Sequence, residues 1–204
     1  MYLKKSFGEN PFALLDIGAG NHSASKTVGL FPSCEYYGLD LRKDYNNSEE
    51  DFAAMKGFYE MDLEKLDFSL IPDLFFDGIW IVHVIEHLRN GDEVIVRLLP
   101  KLKPGGFMYI EYPGKRSLSL PSMKGSLNFY DDDSHVRVYS NEDLAELFRM
   151  NKCRVLERGT RRNIYFILAM PFRIIGHWLH GKRLIGNIFW DALGFAEFLY
   201  VQKE

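Results

Sequence analysis

The sequence predicts an α/β protein organised on a doubly wound parallel sheet. Short apolar stretches of strand length alternate with helix-length segments from residue 13 to residue 112, the pattern of parallel strands joined by crossover helices. The first three stretches end in acids, Asp16, Asp40 and Asp62, and the first turns at once on Gly18 and Gly20. Strand tips with a glycine turn are where open α/β sheets bind nucleotides.

The first strand is read over Ala13–Ile17, an apolar run broken only by Asp16 and short enough to be buried on both faces. Glycine at 18 and 20 lets the backbone turn tightly and approach a ligand. A short helix over Ser23–Leu30 follows, then a second strand over Glu35–Asp40. Ser48 and Asp51 sit at capping-box spacing and open a helix to Met55. The third strand is Gly57–Asp62 and the fourth Phe75–Val82. A helix over Gly91–Leu102 is closed by the Pro104-Gly105-Gly106 breaker, and Phe107–Tyr112 is a fifth strand. Lys115–Ser134 is polar and serine-rich, a long loop over the site. Ser140, with Asp143 three residues on, opens a helix to Asn151. Arg154–Gly159 and Phe195–Val201 read as the sixth and seventh strands.

Composition sets the bounds. With 204 residues the chain can form one domain with a full core. A net charge of −3 argues against nucleic acid as a partner. Cys34 and Cys153 show no metal spacing and read as reduced thiols of a cytoplasmic protein. The first ten residues lack the apolar run of a signal peptide, and no stretch reaches the ~18 apolar residues of a spanning helix.

The acids at the strand tips suggest a ligand. A carboxylate at the second tip accepts two hydrogen bonds from a ribose diol, and one further along accepts from an adenine amine. No P-loop lysine is present, so the implied ligand is an adenosine without phosphate. An NAD-type site remains an option, against which Ser23 stands where the dinucleotide fingerprint wants a third glycine.

At this point the chain resembles the class I S-adenosylmethionine-dependent methyltransferases, over about residues 13–151. Leu15-Asp-Ile-Gly-Ala-Gly20 is similar to the family's cofactor loop, Asp40 to its ribose acid and Met61-Asp62-Leu63 to its adenine segment. Phe76-Asp77-Gly78 through His83-Val-Ile-Glu-His87-Leu resembles its fourth strand and exit, in the style of the small-molecule H-V-[IL]-E-H group. Residues 98–107 and 135–140 also match, in the family's order. The resemblance implies a Rossmann-like, doubly wound seven-stranded sheet ordered 3-2-1-4-5-7-6, with strand seven antiparallel. It implies S-adenosyl-L-methionine as cofactor. Asp16, Gly18, Ala19 and Gly20 would then hold its methionine end, Asp40 with Leu41 its ribose and Met61 with Asp62 its adenine, with His83 beside the methionine part. His22 departs from the pattern, standing where a third glycine is common. The helices that precede strand one in the family are expected to be largely missing here.

Three further features carry expectations. His83-Val-Ile-Glu-His87 does not meet the H-E-x-x-H zinc pattern and shows no third ligand, so no metal is expected; Glu86 and His87 read as a hydrogen-bonded pair. Asp62 has a simpler reading as a helix cap. His135 is the candidate general base, since an imidazole takes a proton from a hydroxyl near neutral pH; its bland reading is a pair with Asp131–Asp133. A basic, apolar insertion over 161–190, before the last strand, reads either as a helical hairpin packed on its own domain or a dimer, as an acceptor lid, or as a peripheral membrane contact.

Taken together, the sequence predicts one methyltransferase domain over 1–204. Residues 13–112 form its cofactor half and 113–204 its acceptor half. The expected reaction moves a methyl group to a small or lipid-like acceptor, at oxygen. The alternative is a non-catalytic cofactor-binding or membrane-associated protein that keeps the fold.

Overall fold

The computed structural model describes residues 2–204. The central strand β1 (Phe12–Ile17) has parallel neighbours on both sides and helices over both faces, and is apolar except at Asp16. On one side lies β2 (Cys34–Asp40), in register from Phe12↔Cys34 to Ile17↔Leu39, and beyond it β3 (Met55–Glu60). On the other side β4 (Phe76–Val82) pairs with β1 from Leu14↔Gly78. Then come β5 (Leu102–Pro113), β7 (Ala196–Lys203) and β6 (Cys153–Thr160), so the order is 3-2-1-4-5-7-6. Only β7 runs antiparallel to its neighbours. Order and direction are those expected from the sequence.

Helices cover both faces. On one, α4 (Gly91–Leu98) and α5 (Asn141–Met150) bury Ile95, Leu98, Leu144 and Phe148 against Leu15, Ile79 and Ile110. On the other, α2 (Ser23–Leu30) covers Phe12, Leu14 and Tyr36. Leu15 is fully buried at the centre of the sheet; cutting it back to Ala costs about 2–5 kcal/mol. Between β2 and β3, α3 (Glu49–Ala54) starts with the expected capping box of Ser48 and Asp51.

Three local expectations change. A helix α1 (Tyr2–Phe7) precedes β1, where the family's helices were expected to be largely missing. Six residues cannot hold a helix alone; packing holds this one, with Phe7 stacked on Phe12 at 4.2 Å and Tyr2 against Tyr200 at 4.8 Å. The helix expected over Gly91–Leu102 stops at Leu98, continues as a 3-10 turn carrying Pro100, and hands over to β5 at Leu102. Pro104-Gly105-Gly106 lies inside β5 as an irregularity, not before it: the partner of β4 jumps from Leu102 to Phe107, with Gly105 at φ +77°. Proline and glycine here make a bulge rather than a stop.

The insertion between β6 and β7 forms α6 (Ile164–Leu179), a 3-10 turn over Gly186–Ile188, and α7 (Trp190–Leu193).

Candidate functional site

The glycine turn after β1 bends where the carboxyl ends of β1 and β4 diverge, the position at which such sheets take ligands. Gly18 sits at φ +79°, and a Cβ there would lie 2.6 Å from Val84. A Cβ on Gly20 would lie 2.6 Å from the Tyr45 ring. His22 explains its own departure from the family's glycine. Its backbone takes φ +62°, a left-handed conformation that glycine adopts freely, while its ring bonds Asp51 at 2.7 Å. The fully buried Asp51 also accepts from Ser25 and Ser48, which hold it well below the usual carboxylate range against the opposing effect of burial.

This turn opens a cleft of about 700 Å³. Asp16, Gly18, Gly20, Asp40 and His83 line it, joined by Tyr45, Trp80 and Leu3 of α1. Burial pushes the Asp16 carboxyl up to about 6, against hydrogen bonds from Tyr36 and Ser23 that lower it. Asp40, at the tip of β2, has only the Arg42 N–H at 3.4 Å among the described residues, leaving its carboxylate free to accept. The other expected residues lie around this cleft without lining it. Ala19 is buried beneath the turn, Leu41 is exposed, and Met61 packs on the core. Asp62 caps the turn over Leu63–Lys65, accepting from Glu64 N–H at 3.1 Å.

His83 leaves β4 at φ +55° and meets two carboxylates. Its Nδ1 is 3.2 Å from Glu86 and its Nε2 is 3.3 Å from Glu111. Burial alone would lower its pKa; the hydrogen bonds and charges of Glu111 and Glu86 outweigh this and raise it to about 9. Glu111 is itself buried, which raises its carboxyl, yet His83 and Arg161 bring it down to about 2. It also accepts from Tyr109 Oη at 2.6 Å. Glu86 therefore pairs with His83, not with His87 as the sequence suggested. The His87 ring turns to Ser134 Oγ at 2.9 Å. His83 stands just before the 3-10 turn over Ile85–His87, whose N-cap is Val84, and its left-handed backbone at φ +55° precedes the turn that carries Glu86.

A second, smaller cleft of about 250 Å³ adjoins the first, sharing His83 and His87. Its other walls include Glu86, His135, Trp190 and Phe195. His135 stands in the loop after β5, its Nδ1 2.7 Å from the Phe129 carbonyl. A nitrogen facing a carbonyl must carry the proton, so Nε2 of the neutral ring keeps its lone pair. Asp132 lies 3.9 Å from that Nε2. Asp131 instead closes the loop on itself, accepting from Met123, Leu127 and Asn128 N–H; these bonds hold it near about 2 although burial acts the other way. Glu86, His87 and His135 each offer a ligand atom, all within 4.8 Å of one another. The sequence singled out all three, Glu86 and His87 as a pair and His135 as a base, but gave no sign that they converge.

A sheet of this order, with glycine turn and acids at its tips, defines a class I S-adenosylmethionine-dependent methyltransferase. The family model described as a methyltransferase domain matches residues 3–158, and the chain belongs to that family. Solved structures agree in fold. A methyltransferase from Mesorhizobium loti superposes with TM-score 0.68 at 12% identity, covering 99% of this chain and 96% of that one. One from Archaeoglobus fulgidus gives 0.63 at 19%, covering 99% and 90%. Phosphoethanolamine N-methyltransferase 2 of Haemonchus contortus, solved with S-adenosyl-L-methionine, gives 0.65 at 18%, covering 98% of this chain and 51% of that one. No curated protein matches the sequence.

Proposed function

We propose that this methyltransferase transfers its methyl group to an oxygen of a small or lipid-like acceptor held in the second cleft. The observation that carries the reading is the adjacency of the two clefts, with His83 and His87 common to both. When bound, S-adenosylmethionine supplies a methyl carbon made electrophilic by its sulfonium.

The chain's own residues divide the remaining work. Asp16, beside Gly18, Ala19 and Gly20, receives the methionine ammonium; a buried carboxylate with a raised pKa gains most from a cation. Asp40, with Leu41 next to it, accepts from the ribose hydroxyls. Met61 and Asp62 border the adenine side, Met61 N–H being tied to the Asp40 carbonyl at 3.0 Å. His83, held as an imidazolium, keeps the end of β4 in place and is not a base. His135 Nε2 would take the hydroxyl proton of an acceptor in the second cleft; the bound cofactor would supply the methyl carbon, its sulfur keeping the electron pair of the bond given up. Much of the acceleration comes from holding the two reactants in line.

Calorimetric titration with S-adenosylmethionine and with NAD tests the cofactor site. Binding of the former alone is expected, and Asp40→Ala should weaken it by about 1.5–3 kcal/mol through lost charge-assisted bonds. Unchanged affinity in that variant overturns the ribose assignment. For the base, His135→Gln should lower turnover of a hydroxyl acceptor by about 10²–10⁴-fold while leaving cofactor affinity alone.

A further inference from the structure

Helix α6 carries apolar side chains all round. Ile167, Met170 and Ile174 are half-buried, and no residue of the helix is fully buried. Tyr165, Leu168, Phe172, Ile175, Trp178 and Leu179 recur at spacings of three and four and form one exposed stripe. Tyr165, Phe172 and Trp178 are 80%, 76% and 78% exposed. An ordinary surface helix turns such a stripe towards the core; a contiguous apolar face left outward marks a contact surface.

Charge says what covers it. No acid lies between Glu157 and Asp191, in a chain whose net charge is −3. Three cations of this interval are tied to the body: Arg158 to the Asn141 carbonyl, Arg161 to Glu111 and Arg162 to the Ala192 carbonyl. Arg173, Lys182 and Arg183 have no carboxylate partner among the described residues. Arg173 lies instead over the Phe166 ring, 5.7 Å from its centre.

We propose that α6 docks on an anionic lipid bilayer. Its apolar stripe enters the boundary between headgroups and acyl chains, and Arg173, Lys182 and Arg183 meet the lipid phosphates. Its 16 residues span about 24 Å, less than the ~30 Å hydrocarbon layer, and no described helix is long and apolar enough to cross a membrane. The helix therefore lies in the interface, where the amphipathic rings of Tyr165 and Trp178 sit well. A second copy of the chain is the poorer occupant. A two-fold pairing sets the same patch against itself, and this patch has cations without acids to answer them. Docking stands apart from the methyl-transfer reading. It would place α7, which packs on α6 and carries Trp190 of the second cleft, next to the lipid phase.

The test is flotation of the purified protein with vesicles of phosphatidylcholine alone and of equal phosphatidylcholine and phosphatidylglycerol. The protein should float with the mixed vesicles, bind the neutral ones more than about tenfold more weakly, and lose binding as salt rises. Phe172→Ser combined with Trp178→Ser should abolish flotation while leaving the circular-dichroism melt unchanged. Replacing Arg173, Lys182 and Arg183 by Gln should remove the preference for anionic lipid. The proposal is overturned if the protein floats with neither vesicle. Elution as a dimer that Phe172→Ser converts to monomer would also overturn it, by showing that a second copy covers the stripe.

Discussion

Arg161 reaches back from the end of β6 to Glu111 in β5, Nη1 to Oε1 at 2.9 Å. Its other amino group meets Asp191 of α7 at 2.8 Å, and Asp191 in turn accepts from Asn163 N–H at the start of α6. One guanidinium thus joins the carboxylate behind His83 to the root of the insertion. Arg161→Ala leaves two buried carboxylates short of their partner and should cost about 3 kcal/mol of stability, read by urea denaturation. Arg161→Lys should recover only part, since one ammonium cannot reproduce the fork.

Stability should fall on the alkaline side. The folded pKa of His83 is about 9, above the ~6.5 of an exposed imidazole. Its contribution is therefore complete below pH ~6.5 and lost as pH rises through the folded value. His83→Gln should flatten the denaturation midpoint against pH between those limits. A wild-type midpoint that stays level over that window would contradict the imidazolium.

Cofactor binding should carry the opposite dependence. Burial pushes the Asp16 carboxyl up to about 6, and in the role proposed for it only the charged form would attract the methionine ammonium. Affinity for S-adenosylmethionine should hold above pH 6 and decline below it, measured by calorimetry across pH 5–8. Asp16→Asn should weaken binding and abolish that decline. The same shift acts on the fold. A carboxyl with a raised pKa disfavours the folded state once it ionises, so its penalty appears as pH rises from ~4 through about 6.

At position 22 the backbone and the ring make separate demands. His22→Gly keeps the left-handed turn, loses the bond to Asp51 and sheds the strain an L residue carries there, so its net cost should be at most about 1 kcal/mol. His22→Val loses the bond with no such relief, and its β-branch fits the left-handed region worse still, so it should cost more than the glycine variant by about 1–2 kcal/mol. Thermal melts of the two variants should rank accordingly.

What the sequence made legible was local and periodic. Acid-tipped strands, the glycine turn and the Ser48–Asp51 box all lie within a few residues of what they control, and the sheet order followed from the family resemblance. Glu111 carried the same signal as Asp40, an acid in an apolar strand, but its partners Arg161 and His83 lie 50 and 28 residues away in sequence. The pairing of Glu86 with His83 rather than His87 comes with a left-handed residue at the end of β4 followed by a short turn, neither of which spacing announces. Helix α1 and the bulge at Pro104–Gly106 rest on tertiary contacts. The second cleft is likewise assembled from segments after β4, after β5 and from the insertion, which meet only in three dimensions.

The antiparallel return of β7 has a consequence for how the insertion is attached. Thr160 faces Glu197, and Arg161 N–H bonds the Ala196 carbonyl at 2.8 Å. Residues 161–195 therefore leave and rejoin the sheet at adjacent points, so in connectivity they are the loop of a hairpin. The ladder already holds the two ends together, and each doubling of such a loop adds only ~0.6 kcal/mol of closure entropy. The exposed part of the segment, α6 and the turn after it, can be lengthened or shortened without re-threading a strand, provided that Arg161 and Asp191 at its root keep their hold on Glu111.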